Sequence, residues 1–457
     1  MRAFLWATVS QLINTGMINL EDNKKFCAAP WVHLHILPSG NAQPCCYWND
    51  DYRRDEEHGH LIGEVDFGNI KNHDTIEDLM NAAEFRKMRT LFLNGETHPG
   101  CKTCDKHDEA GRNNQSGRQI INNQFFKDNE KVQESVENTL GDGTASPNIT
   151  YIDIRFGNIC NLKCRMCGHG CSSSWYEDRV KIAGIENKLL SVGTTKFIHV
   201  DCYDKIESII EHAEEIYFAG GEPLLFPEHL KILDRLVETN NTDCRLRYNT
   251  NLTSLTYKKR DIIETWKNFS NVYIVPSIDG TGDTVEYMRT NLDWKVFESN
   301  FNRIKEELPD TMIHPGITVG VLNVEKLPEF SQYCIENQWT YNHNLYSNFI
   351  NYPYNQDIRI LPEWHKEHIV SIFEEHIEWI ESRRSMGEKL SGVRHISGLR
   401  QIVDYMREEL YDTERKNELL EKLFRDLEMW KIISPEKDWM IMLPHLKEFF
   451  DKHLFDT

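Results

Sequence analysis

No run of apolar residues in this chain is long enough to cross a bilayer as a helix, so no helical membrane span is expected. The most apolar N-terminal stretch, residues 4–13, is short and interrupted by Ser10 and Gln11. Arg2 precedes it, as in a signal peptide, but no small-residue cleavage site follows, and the expectation is an N-terminal strand or helix. Basic residues are scarce. The chain carries 52 Lys and Arg against 72 Asp and Glu, a net charge of −20, and has no basic tract. Such a surface repels phosphate, so neither nucleic acid nor an anionic membrane is expected as a partner. Fixed-period repeats and low-complexity tracts are missing too, which leaves an ordinary folded chain of two or three domains.

Cysteine is what the chain does have. Seven of the first eight of its 12 cysteines fall in three tight groups: Cys45 with Cys46, Cys101 with Cys104, and Cys160 with Cys164 and Cys167. Cys27 stands alone upstream. Disulfide-dense scaffolds are short and secreted. In a long acidic chain, clustered cysteines point instead to metal ligation in a reducing compartment, and the expected location is cytoplasmic. Cys171, Cys202, Cys244 and Cys334 lack ligand spacing and read as buried free thiols, with Cys171 the one to watch because it follows the trio so closely.

Residues 26–104 are rich in Gly, Pro and Cys and include one helical stretch, 75–94. Residues 128–147 are polar, contain Gly141-Asp142-Gly143 and read as a linker. Strands then alternate with helices. The expected strands are 151–157, 215–220, 245–250, 272–279, 317–322 and 341–346, and the clearest helix is 228–238, with Leu230, Leu233 and Val237 on one face. This alternation predicts a parallel α/β sheet or partial barrel, with ligand loops at the C-terminal strand ends. Beyond Pro362 the pattern is helical, with an apolar stripe of Leu419, Leu420, Leu423, Phe424 and Leu427.

The segment Ile159-Cys160-Asn161-Leu162-Lys163-Cys164-Arg165-Met166-Cys167 directly follows the first expected strand. Three thiolates suit a four-iron cluster with one iron left open for a ligand. Zinc is the alternative, with Cys171 as a fourth thiolate, although structural zinc sites more often pair two C-x-x-C units. This C-x3-C-x2-C spacing, followed by Gly220-Gly221-Glu222-Pro223 at the end of the second strand, resembles the radical S-adenosylmethionine superfamily over residues 151–346. The resemblance implies a partial (β/α)6 TIM-like barrel. It implies a [4Fe–4S] cluster on Cys160, Cys164 and Cys167, and S-adenosylmethionine bound at the open iron. Electron transfer from a reductant such as flavodoxin or ferredoxin would cleave the cofactor to a 5′-deoxyadenosyl radical. Cofactor contacts are implied for Gly220, Gly221, Glu222 and Pro223 (methionine amino group), for Asn249 and for Ser277 and Asp279 (ribose). Arg289 would contact the carboxylate and Met166 would pack on the adenine. Leu252 stands where relatives carry the glycine of Thr-Asn-Gly, and the backbone there is expected to differ.

Upstream, Cys27-Ala28-Ala29-Pro30-Trp31, Pro44-Cys45-Cys46 and Pro99-Gly100-Cys101-Lys102-Thr103-Cys104 resemble, in order, the SPASM/twitch auxiliary-cluster domain. In relatives that domain usually follows the barrel; here it precedes it. The resemblance implies a second [4Fe–4S] cluster on Cys27, Cys45, Cys101 and Cys104, with Cys46 the alternative to Cys45 and zinc the alternative metal. His33 and His35 alternate along an expected strand and read as structural or solvent-facing. The expected organisation is an extension (1–25), an auxiliary domain (26–125), a linker (126–149), a core (150–347) and a helical C-terminal region (348–457). Proteins of this layout often modify peptides, so a peptide is one candidate substrate. The competing reading is a non-catalytic iron–sulfur or zinc-binding interaction protein on the same fold.

Overall fold

A computed structural model describes residues 23–49, 65–109, 116–185, 196–339, 346–386 and 393–455. The expected N-terminal strand or helix at 4–13 lies outside the described residues. Thirteen strands are present among them. The N-terminal region supplies β1 (His33–Ile36) and β2 (Ala42–Gln43). Then follow β3 (Tyr151–Ile154), β4 (Lys163–Cys164), β5 (Glu215–Phe218), β6 (Arg245–Thr250), β7 (Thr256–Tyr257) and β8 (Arg260–Asp261). The last are β9 (Val272–Pro276), β10 (Arg289–Thr290), β11 (Met312–Ile313), β12 (Gly316–Val319) and β13 (Tyr346–Phe349).

The main sheet runs β11-β9-β6-β5-β3-β1-β2. Its core pairings are parallel, and a parallel bridge from Ser277 to Gly316 leads on to the parallel pair β12–β13. Six parallel core strands, β3, β5, β6, β9, β12 and β13, therefore follow one another in chain order, as a partial barrel requires. The sixth begins at Tyr346, so most of the strand expected at 341–346 falls outside the described residues. The helix Pro227–Glu238 starts on Pro227, where a missing N–H costs nothing. It packs with Leu230, Ile232, Leu233 and Leu236, while Val237 is turned outward at 37% exposure.

Two expectations for the N-terminal third are corrected. The single helix at 75–94 is two, Ile76–Met80 and Ala83–Leu93. Arg89, fully buried, donates to Met80 O and Asn81 Oδ1 at the break and to Pro30 O and Gly143 O beyond it. The chain stops helping itself there because a side chain takes over its terminal carbonyl. Nor is 126–149 a free linker. It holds the helix Glu130–Glu137, with Val132 and Val136 fully buried. Gly143 adopts φ +85°, and a Cβ there would lie 2.0 Å from Arg86 O, so this turn docks tightly on the helix Ala83–Leu93.

The N-terminal strand is part of the core sheet. β1 pairs in parallel with β3, His33 opposite Tyr151 and His35 opposite Asp153. His33 and His35 are consequently buried, at 0% and 3% exposure, which corrects the solvent-facing alternative. The C-terminal region is helical, with Glu363–Ser385, Val393–Met406, Thr413–Ile433 and Pro444–Phe455. Leu419, Leu420, Leu423 and Leu427 of the expected stripe join the common core, with Phe424 packed against it. Among the described residues no helix is long and apolar enough to cross a membrane.

Candidate functional site

The loop after β3 is held by side chains that bond its backbone groups. Asn158 fixes its two ends: its Nδ2 donates to His169 O (2.9 Å) and Lys196 O (3.1 Å), and its Oδ1 accepts from Ile198 N. Inside the loop, Ser174 Oγ donates to Cys160 O, Ser172 Oγ to Leu162 O and Trp175 Nε1 to Cys164 O. Saturating the carbonyls in this way orients the side chains, and the loop places Cys160, Cys164 and Cys167 together. The thiols influence one another. A hydrogen bond from Cys167, helped by the charge of Arg289 and opposed by burial, holds Cys164 down to about 7. Cys167 is correspondingly pushed up by that same bond and then by burial, and Cys160 is pushed up to about 12 by burial and by Glu222. Metal ligation requires thiolates, and this loop already favours one of them.

Arg289 adds the positive charge to that hydrogen bond. β10 pairs with β4, Arg289 opposite Cys164, and Arg289 Nη1 lies 3.5 Å from Cys164 Sγ. The same guanidinium grips Asp279 through two bonds, of 2.7 and 3.1 Å. Asp279 also accepts from Thr318 N at 2.7 Å. The sequence suggested separate cofactor contacts for Asp279 and Arg289. The structure joins them as a buried, bidentate pair beneath the cysteine loop, because each is the closest neutralising partner the other has.

Gly220-Gly221-Glu222-Pro223 is fused to that loop. Glu222 N donates to Ile159 O at 2.8 Å. Gly221 has φ +55°, and a Cβ there would sit 2.5 Å from Ile159 O and 2.9 Å from Gly157 O. Only glycine allows the two backbones to approach so closely. The buried Glu222 carboxylate accepts from Thr250 Oγ1 (2.6 Å), Asn251 N (2.6 Å) and Leu224 N (3.2 Å), tying the end of β5 to the end of β6. Pro223 opens the 3₁₀ turn that follows. Asn249 and Ser277 lie half-buried at neighbouring strand ends, and Met166 is half-buried between the last two cysteines.

Sequence reasoning missed three residues here. Asn251 Nδ2 donates to Asn161 Oδ1 (2.8 Å) and lies 3.7 Å from Cys160 Sγ. Thr250 caps Glu222. Arg165, between two cysteines, is 3% exposed, and its guanidinium faces Tyr287 (4.8 Å), Trp430 (4.9 Å) and Trp175 (5.7 Å). The first two stood in the Asn249-Thr250-Asn251 run and the third in the cysteine motif itself, but their partners are remote in sequence.

The upstream cysteines converge separately. Cys27, Cys45, Cys101 and Cys104 line one cavity. Its walls are apolar at Met88, Phe92 and Ile121. Cys46 is not on that cavity. The charges that act on its thiol are those of Asp153, Arg155 and Arg247, on the inner face of the sheet. Burial pushes Cys27 and Cys101 up to about 12, while the charge of Arg118 draws both down. The four thiols surround this cavity, a donor set that fits a multi-iron group held by four thiolates.

Residues 154–333 match the family described as the Radical SAM superfamily. Residues 27–105 match the SPASM family, described as an iron-sulfur cluster-binding domain, which here precedes the first match. No curated protein matches the chain. Solved structures similar to it include native anSMEcpe with bound AdoMet, at 16% identity over 53% of this chain and 63% of that one, with a TM-score of 0.37. The chain thus spans less than two thirds of that protein's length. Another is Streptococcus suis SuiB bound to S-adenosylmethionine, at 12% identity over 76% of this chain and 70% of that one, TM-score 0.34. A third is the same protein bound to precursor peptide SuiA, at 11% identity, 76% and 71% coverage and TM-score 0.32.

Proposed function

We propose that this chain, which belongs to the radical S-adenosylmethionine superfamily and carries its iron–sulfur cluster-binding SPASM domain ahead of the core, is an enzyme that modifies a peptide by radical chemistry. When bound, a [4Fe–4S] cluster and S-adenosylmethionine supply a reducing electron and the 5′-deoxyadenosyl radical it releases. Cys160, Cys164 and Cys167 would hold that cluster. Arg289 favours the thiolate at Cys164, and Ser172, Ser174 and Trp175 keep the loop carbonyls occupied so that the thiols stay aimed. Gly220 to Pro223, Asn249, Ser277 and Met166 would line the cofactor. Cys27, Cys45, Cys101 and Cys104 would hold a second [4Fe–4S] cluster. A flavodoxin or ferredoxin in the cytoplasm is the reductant class we favour.

The single observation that supports this reading most is the contact between two motifs some fifty residues apart. Glu222 N on Ile159 O and the missing Cβ of Gly221 bring the second strand's turn against the cysteine loop. A structural zinc loop has no use for that turn. The test is anaerobic reconstitution with iron and sulfide, then incubation with dithionite and S-adenosylmethionine. 5′-Deoxyadenosine is expected to form, and Cys160→Ala should abolish it. Zinc at the trio, or no nucleoside with any reductant, would falsify the assignment.

A further inference from the structure

The two faces of the core sheet differ in kind. Along each strand alternate side chains point to opposite faces. One face, carrying Ile152, Phe218 and Tyr248, packs on the helices: Tyr248 OH bonds His229 Nε2 of helix Pro227–Glu238 at 2.9 Å. The opposite face is polar. Register places His35, Asp153, Tyr217, Arg247 and Tyr273 in one row across five strands. His33 stands one step earlier, stacked on Tyr151 with ring centroids 4.0 Å apart.

Several of these groups lack a well-formed hydrogen bond although they are buried. Among the described residues, both ring nitrogens of His33, both of His35 and both carboxylate oxygens of Asp153 have no partner in full hydrogen-bond geometry; the nearest groups are the Pro44 and Cys45 backbone beside the imidazoles and Arg155 beside the carboxylate. The three residues are 0%, 3% and 0% exposed. Buried polar groups are nearly always satisfied, so six such atoms in one patch call for something that satisfies them. The patch also lies between the two cysteine sites. Cys46, next to the auxiliary cavity, borders it on one side. On the other, Arg155 lies beneath Gly220, its Cβ 2.8 Å from where a Cβ of that glycine would be. The side chains of Arg155 and Arg247 keep 28% and 26% exposure, which leaves the patch an edge open to solvent.

We propose that His33 and His35 of the N-terminal strand, together with Asp153, form the subsite that receives a neutral hydrogen-bonding group of the substrate, a carboxamide or hydroxyl such as a peptide carries. The neutrality follows from charge. Asp153 already faces Arg155 Nη2 at 3.5 Å, with His35 Nε2 at 3.6 Å, so the carboxylate has its counter-charge and a further buried charge would have none. Burial also keeps the imidazoles uncharged, His33 being drawn down to about 3. Each neutral ring then offers one donor and one acceptor, and Asp153 offers acceptors, which together complement an amide or a hydroxyl. The word substrate rests on the radical-enzyme reading above; the binding site itself does not. On this account the N-terminal domain supplies more than a metal site. Its strand builds the wall that selects the substrate.

The test uses the reconstituted full chain and needs no turnover. Propionamide and 1-propanol serve as neutral probes, and propionate and propylammonium as charged ones, each titrated by calorimetry. Saturable binding is expected for at least one neutral probe, with the charged probes at least tenfold weaker. Asp153→Asn and His35→Phe should each weaken the neutral probe about tenfold or more. Equal or tighter binding of a charged probe overturns the proposal, as does unchanged affinity in both variants. Failure of every probe to bind also overturns it, since water alone would then satisfy these groups. The comparison of probes on the unaltered protein decides the matter even if a variant does not fold. Protein that binds the neutral probe yet never forms 5′-deoxyadenosine would refute the catalytic reading and leave the subsite standing.

Discussion

Leu252 holds the left-handed backbone conformation, φ +52°, at full burial. Leucine stands here where relatives carry glycine, and Leu252 N bonds Thr250 Oγ1 while Leu252 O accepts from Asn300 Nδ2, which hold this backbone against a steric penalty of about 1–2 kcal/mol. Two substitutions separate strain from packing. Both Leu252→Ala and Leu252→Gly lose the buried side chain, but only glycine relieves the strain. Leu252→Gly should therefore be the more stable of the two by about 1 kcal/mol in urea denaturation, the reverse of the usual order. Glu222 makes a pH prediction. Burial raises its carboxyl from 4.5 to about 7, against the hydrogen bonds from Thr250, Asn251 and Leu224. Between those values the folded protein binds more protons than the unfolded chain, so stability falls as pH rises from about 4.5 to 7 and levels off above. Stability curves of the metal-free protein should show that fall, and Glu222→Gln should flatten it. An identical slope in the variant would mean that other groups carry it.

Elements in this chain are set by contacts that cross between them. The break at Asn81-Ala82 exists because Arg89 reaches back to Met80 O and across to Pro30 O and Gly143 O, joining two helices, the strand entry and the Gly143 turn. Replacing it leaves several buried carbonyls without a donor. Arg89→Met is expected to cost about 3 kcal/mol or more, read as a drop in the denaturation midpoint; a loss below about 1 kcal/mol would mean that water replaces the guanidinium. The sheet shows the same dependence. Strand alternation located five of the six core strands, β6 at its expected residues, while the strand expected at 341–346 lies mostly outside the described residues. That β1 would extend this sheet was not legible, since a four-residue strand carries no record of its partner. The same holds for Arg165, which Trp430 of the C-terminal helix Thr413–Ile433 covers from 265 residues away.

At the scale of the whole molecule, two cysteine sites stand on one continuous core, the cavity of Cys27, Cys45, Cys101 and Cys104 near one end of β1 and the three-cysteine loop after β3. Reconstituted protein should hold about eight irons per chain, falling to about four when Cys101 and Cys104 are both replaced. An unchanged iron count would remove the second cluster. By itself the sequence determined the chemistry at each site, because ligand type and spacing are local: three thiols in one loop, four more upstream, and a double-glycine turn after a strand. Tertiary structure decided which groups are spent on one another. It paired Asp279 with Arg289, gave Cys45 to the cavity and Cys46 to the sheet, and buried His33 and His35 beside Asp153. These outcomes depend on which strand lies beside which, and strand neighbours are chosen by packing across the chain.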